Sequence, residues 1–549
     1  MKNLFKKIIY LIEEASYMCG ILGYFSPKFD VIHFQQALKS LNHRGPYGQG
    51  FTCLANGALG MVRLPMSGNS PTAVPPQVLN YTAAFNGEVY TPGHQLKDEV
   101  ETLILALRKS SVPDGMFAIA YWDEVNQELV LYRDQFGIKP LYYIYQPEHS
   151  LLAFSSELKP LLELLDKPRI NKKVVAEIVS TGVSLEFSTL IEGVNILAPG
   201  TKMTFSFTEQ GFHLRRTEII KNEFKEEFKE IEELIGKSLN VCKDTFRKTA
   251  LLISGGVDSN ILNTYLDLGY ERFNLQIEGH NDSPPNSTLV KKINFSEHDF
   301  LETLRKAVKN YASASRMTSL LMYQKLSDGL GDAGYHSVIV GEGADEMFWG
   351  YSRHLELWEN HNNLNTNKFA TYWFGNYFSN SHYLSDSLRQ STYETIDKLT
   401  RDALSKGFES AIEIFDLNYS LEPLLRRSDH LLMSRTIEAR TPFLHCGLAY
   451  SLPRDIRIQN GLGKAELYKI LRKRSPTWMP RAKKHFRAPL SDWNNAKTAM
   501  RKEVSNSLDF LQQVGLEKLT SNTISVIPDE QLFTLTTLSI WKQEFGKYL

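Results

Sequence analysis

Apolar residues in the N-terminal part of the chain fall in short runs broken by glycine: Gly20 to Phe25, Tyr81 to Phe85, Met116 to Trp122, Leu129 to Tyr132 and Leu151 to Phe154. Runs of this length with turn residues between them predict strands. Helical spacing shows only at Val31 to Leu41 and Glu99 to Lys109. Residues 19–210 therefore read as an α+β domain of stacked antiparallel sheets with helices outside. Residues 211–248, which include EFKEEFKEIEELIGKSL, are charged and predict a connecting helical segment. From 249 to 549 the pattern changes. Ala250 to Ile253, Phe273 to Ile277 and His336 to Val340 alternate with helical stretches, which predicts an α/β domain on a parallel sheet. Residues 395–475 are mainly helical in pattern, with Leu421, Leu424, Leu425, Ser428 and Leu432 on one face.

The first 18 residues stand apart. Lys2, Lys6 and Lys7 precede Ile8 to Ile12, which Glu13 and Glu14 then interrupt. A secretory signal needs a longer apolar core and small residues before its cleavage site. Leu4, Ile8, Leu11 and Ile12 have helical spacing. In Met18-Cys19-Gly20-Ile21 a methionine directly precedes a small residue, as at a translation start. The expectation is a working chain that begins at Cys19, with residues 1–18 a leader or a misassigned start.

Composition narrows the partners. The chain has 549 residues, with 62 Lys+Arg against 62 Asp+Glu, no basic excess of the kind that coats nucleic acid. No run of about 18 apolar residues occurs, so no membrane helix is expected. The four cysteines, Cys19, Cys53, Cys242 and Cys446, form no C-x-x-C pair and are too sparse for a disulfide framework. A reducing, cytoplasmic setting and small-molecule partners follow as expectations.

Two turns suggest nucleotide chemistry. Ser254-Gly255-Gly256-Val257-Asp258-Ser259 joins an apolar strand to a helix. Such a turn presents backbone N–H groups to phosphate, and Asp258 suits magnesium; an ordinary glycine-rich turn reads the same way. His336 to Tyr351 repeats the design and carries Glu342, Asp345 and Glu346. Carboxylates at the carboxyl ends of parallel strands stand where ligands bind. Asp345 becomes a second magnesium ligand, and Glu342 a base or charge partner for an attacking amine. In the first domain, a chain-terminal Cys19 could use its own amine as base. Asn86-Gly87 could supply oxyanion donors, although Asn-Gly also marks hairpin turns. Arg63 could grip a carboxylate, and Glu99 or Asp98 an ammonium.

Together these residues resemble the glutamine-hydrolysing asparagine synthetases, which join a class II glutamine amidotransferase domain to an ATP-pyrophosphatase-type synthetase domain. The likeness runs from Cys19 to about Trp493. It rests on Met18 to Ile21, His43 to Pro46, Arg63-Leu64, Phe85 to Tyr90, Arg133 to Tyr143 and Ser155 to Lys159. It continues through Leu252 to Ser259, Gly341 to Glu346, Ile437 to Leu444, Arg481 to Lys483, Phe486, Pro489 and Trp493. The resemblance implies an N-terminal nucleophile hydrolase sandwich followed by a helix-rich synthetase domain. It makes Cys19 the nucleophile, Asn86 and Gly87 the oxyanion hole, and Arg63, Leu64, Asn86, Gly87, Glu88 and Glu99 the glutamine site. It assigns Leu252, Ser254, Gly255, Gly256, Asp258, Ser259, Ile277, Val340 and Gly341 to ATP, Asp258 and Asp345 to Mg²⁺, and Glu342 to the acyl-adenylate. The implied reaction converts ATP, aspartate, glutamine and water to AMP, pyrophosphate, asparagine and glutamate, with ammonia crossing inside the protein. A homodimer is compatible with it.

The chain departs from the family pattern in places. Glu99 stands for an aspartate, Val340 for a serine, and His445 for an aspartate. His280 to Pro285 replaces an acidic, alanine-rich stretch. The lysine near the pyrophosphate falls on Tyr468, with Lys464 and Lys469 nearby but out of register. None of the motifs reads aspartate, so a relative that amidates another carboxylate, such as a sugar acid or a secondary metabolite, is the second reading. A third is a synthetase half that no longer reacts and serves for binding.

Overall fold

The computed structural model describes residues 17–54, 56–65, 75–90, 96–220, 230–243, 245, 247–279, 289–361, 364–445, 448, 457–459, 461–479 and 487–549, with only the backbone at 17, 18, 65 and 96–98. Residues 1–16, Cys446, His280 to Pro285, Arg481 to Lys483 and Phe486 lie outside these, as does the side chain of Asp98.

The first domain is built from β1 (Tyr17–Phe25), β2 (Gly48–Leu54), β3 (Gly57–Pro65), β4 (Gln77–Val78), β5 (Tyr81–Val89), β6 (Gly115–Asp123), β7 (Glu128–Arg133), β8 (Tyr142–Gln146), β9 (Leu151–Ser155), β10 (Val194–Ile196), β11 (Thr201–Thr208) and β12 (Gly211–Ile219). One antiparallel sheet runs β2-β3-β1-β9-β8-β10, and a second runs β4-β5-β6-β7-β11-β12. Among the described residues they join at one pair, Tyr17 opposite Gly87. Side chains alternate across a strand. Cys19, Ile21 and Phe25 of β1 therefore enter the core between the sheets, with Phe85, Ile119 and Leu131, while Leu22 faces outward. Helices Val31–Lys39 and Leu158–Leu164 cover that outer face with Phe34, Leu38 and Leu161. The first helix stops short of Leu41, because Ser40 Oγ donates to the Ala37 carbonyl at 2.7 Å and closes its end.

One alternative is excluded here and one expectation corrected. Asn86-Gly87 is not a hairpin turn. It lies within β5, opposite Ala118 and Phe117 of β6, since pairing continues to Val89. Among its described residues the connecting segment 211–248 is helical at Ile231–Lys243 alone. Its first nine residues are strand β12, which completes the second sheet against β11.

The second domain holds a parallel sheet of β13 (Thr249–Leu252), β14 (Glu271–Ile277), β15 (Val290–Phe295), β16 (Ser337–Ile339) and β17 (Glu438–Arg440), ordered β15-β14-β13-β16-β17. Strand order reverses between β13 and β16, and a crevice opens beyond the carboxyl ends of strands at such a point. Both glycine-bearing turns leave from these two strands. A π-helical turn at Leu417–Leu421 leads into helix Glu422–Met433. Leu421, Leu425, Ser428 and Leu432 are buried there as the pattern predicts, while Leu424 is half-buried. Among the described residues no helix is long and apolar enough to cross a membrane.

Candidate functional sites

The first site forms where the two antiparallel sheets join. Cys19 is fully buried, and its backbone N–H donates to Asn86 Oδ1 at 3.3 Å. Asn86 is buried and its amide nitrogen donates to Ser156 Oγ at 3.4 Å, a contact that fixes which way the amide faces. Arg63 stands opposite Cys19 in the β1–β3 register. Burial pushes the Cys19 thiol up to about 12, against the pull of the Arg63 charge and a hydrogen bond from the Leu64 backbone. The Leu64 side chain itself packs on Met433 of the second domain. Glu99 is buried and its Oε2 accepts from the Val89 N–H at 3.4 Å. Glu88 is turned toward the second domain, where Arg440 donates to its Oε2.

The second site is the crevice between β13 and β16. The first turn is stapled from within. Ser259 Oγ accepts from Ser254 N–H at 3.0 Å, and the Asn260 amide donates to the carbonyls of Ser254 and Gly256 at 2.8 and 2.7 Å. Asn260 carries no family signal and was missed by sequence reasoning. The second turn comes so close that a Cβ on Gly341 would lie 3.1 Å from Cβ of Asp258 and press upon it. Lys464 Nζ lies 2.7 Å from both Asp258 carboxylate oxygens and 2.9 Å from Asp345 Oδ1. Its stem passes Gly350, where any Cβ would strike it.

This geometry resolves the two lysines. A helix turns about 100° per residue, so Lys469, one position after Tyr468, points elsewhere. Its side chain is 76% exposed beside Glu466. Lys464 precedes helix Ala465–Arg474 as its cap, in a left-handed backbone conformation, and its side chain reaches Asp258 and Asp345. Two carboxylates that converge on one ammonium also fit a magnesium ion, which takes one or two carboxylates and draws its other oxygens from phosphates and water.

Glu342 accepts from Tyr323 Oη at 2.6 Å, from Ser428 Oγ at 2.6 Å and from the Arg427 guanidinium. Arg427 also donates to Ser319 Oγ at 2.6 Å. These three partners of Glu342 lie elsewhere in the sequence, and nothing local marked them as its partners. All of the residues expected at ATP, from Leu252 to Gly341, line one cavity of about 920 Å³ that also holds Glu342, Asp345 and Lys464. That volume is ample for a nucleotide and a small acid. The lining also includes Arg316, which is flanked by Gly182 of the first domain and Gly375 and donates to the Phe374 carbonyl at 3.3 Å. It forms no ion pair with a described residue, and burial holds its guanidinium below the usual arginine range.

Comparison with known proteins agrees with this arrangement. The family model described as asparagine synthase matches residues 230–542, and that described as a glutamine amidotransferase domain matches residues 18–112 and 108–216. Asparagine synthetase (glutamine-hydrolyzing) 1 of Bacillus subtilis is 23% identical to this chain, covering 90% of each. Asparagine synthetase (glutamine-hydrolyzing) 3 of the same organism is 24% identical, covering 83% of this chain and 84% of its own. Amidase chyE of Penicillium rubens is 24% identical, covering 58% of this chain and 55% of its own. With more than half its length matched by that model, and an amidotransferase domain ahead of it, the chain belongs to the asparagine synthase family.

Proposed function

We propose that this protein is a glutamine-hydrolysing asparagine synthetase, which makes an amide from an acid, glutamine and ATP. One observation carries the reading: a single chain holds Cys19 against Asn86 in one domain, and Asp258, Asp345, Lys464 and Glu342 around one cavity in the other. In the first site Cys19 Sγ attacks the side-chain amide carbon of glutamine. The Cys19 amine, freed of residues 1–18, takes the thiol proton. Asn86 and the Gly87 N–H hold the oxyanion, and ammonia leaves with that proton. Water then releases glutamate from the thioester.

In the second site a carboxylate oxygen of the acceptor attacks the α-phosphorus of ATP and expels pyrophosphate. The backbone N–H groups of residues 257–259, at the start of helix Val257–Asn263, and Lys464 face the phosphates. Magnesium, held by Asp258 and Asp345, would offset phosphate charge there. Ammonia then attacks the acyl carbon, AMP leaves, and Glu342 takes the surplus proton. Arg427 and Tyr323 keep its carboxylate aimed at that point. Arg316 is a cation placed for a second carboxylate on the acceptor, which aspartate has. The free Cys19, Cys53 and Cys242 support a cytoplasmic setting.

The thiol sets the pH dependence. With Cys19 pushed up to about 12, the thiol is protonated at neutrality and attack needs a base. The α-amine, with an ordinary value of about 8, must be neutral to act. The glutaminase kcat/KM should therefore rise with pH and level off above about 8. A rate that climbs on toward the thiol value would refute the amine as base.

The acceptor is tested by ATP–pyrophosphate exchange. Aspartate should drive exchange in magnesium-containing buffer without glutamine. Exchange driven by another acid and not by aspartate would replace this reading with the second one, which the likeness to an amidase favours. No exchange with any acid would remove the synthetase function.

A further inference from the structure

A file of buried charges of alternating sign crosses between the two domains. Arg440 donates to Glu88 and lies 3.4 Å from Glu438. Glu438 lies 3.5 Å from Lys139 Nζ, which lies 3.6 Å from Asp429. Asp429 lies 2.8 Å from Arg44. Glu88, Lys139 and Arg44 belong to the first domain, and Arg440, Glu438 and Asp429 to the second. All six are less than a tenth exposed. Burying charge costs solvation that attraction repays only with good geometry, and an apolar contact would join the domains as firmly. Adhesion alone therefore does not account for the file.

Arg440 is the member that touches both sites. Its guanidinium holds Glu88, the residue after Gly87. Its carbonyl accepts from the Val340 N–H at 2.9 Å, directly before Gly341 and Glu342, and in β17 it stands opposite Ile339 of β16. A ligand settling on the Val340-Gly341 turn thus acts on the strand that carries Arg440. A ligand settling on Asn86-Gly87 acts on Glu88 at the other end of the same side chain.

We propose that Arg440 is a positioning residue that couples the sites, so that filling the nucleotide cavity tightens glutamine binding and the reverse. The proposal rests on the assignment of the two sites given above. A ligand that fixes Arg440 from one end removes the ordering cost met at the other, which makes the coupling positive. Linkage makes it equal in both directions.

The test uses the full chain with a freed amino terminus and Cys19→Ala, which binds glutamine without consuming it. Calorimetry measures the glutamine Kd with and without magnesium α,β-methylene-ATP, and the Kd of the analogue with and without glutamine. Each ligand should tighten the other by about fivefold or more. Adding Arg440→Met should bring both factors to within about twofold of unity while both ligands still bind. If that variant does not fold, Arg440→Lys serves, because a point charge cannot fork between Glu88 and Glu438. Undiminished coupling in the foldable variant, or none in the parent, overturns the proposal. Absence of glutamine or analogue binding altogether would instead refute the site assignment.

Discussion

Replacing Cys19 by alanine should lower glutamine-dependent amide synthesis by at least about a thousandfold and leave ammonia-dependent synthesis within about twofold. On the proposed mechanism the sulfur is the atom that bonds to glutamine, so its loss removes a covalent path. Cys19, Arg63, Asn86, Gly87 and Glu99 do not line the second cavity. Loss of both activities would refute the division of labour between the domains. A chain that keeps residues 1–18 should resemble this variant. Its Cys19 nitrogen is an amide and cannot take a proton, and Tyr17 backbone occupies the place opposite Gly87. Equal glutaminase rates with and without those residues would remove the role given to the terminal amine.

The second large effect is expected at Lys464. Lys464→Met should reduce synthesis from both glutamine and ammonia by about a hundredfold to a thousandfold, with glutaminase activity retained within a few-fold. The ammonium is buried between two carboxylates, and on the proposed reading its loss removes that charge from beside the phosphates. Lys469→Met should change synthesis by less than about twofold, since that side chain stands in solvent. Kinetics of the two variants side by side decide the matter, and the opposite ranking would return the phosphate lysine to the position beside Tyr468.

Much of the candidate site was legible because its chemistry is concentrated in short segments. Residues 254–259 and 341–346 each carry their glycines and acids within one strand-to-helix turn, where local backbone geometry dictates what is presented. Cys19 declares itself by the residues on either side. Asn86-Gly87 was ambiguous for the same reason, since two residues cannot show whether a chain turns or continues. Only the nine-residue pairing with β6 makes that segment a strand. The 211–219 segment misled because charged residues suit an exposed edge strand as well as a helix, and pairing with β11 decides between them.

From its sequence alone, then, the chain specifies two kinds of domain, the candidate nucleophile, both glycine-bearing turns and the acids upon them, because these depend on neighbours a few residues away. The tertiary structure alone decided which lysine reaches Asp258 across 206 residues. It also decided that Arg427, Ser428 and Tyr323 hold Glu342, and that Glu88 answers to Arg440. Those outcomes depend on how helices and strands pack after folding, where a rotation of one residue re-aims a side chain and no local pattern records the partner.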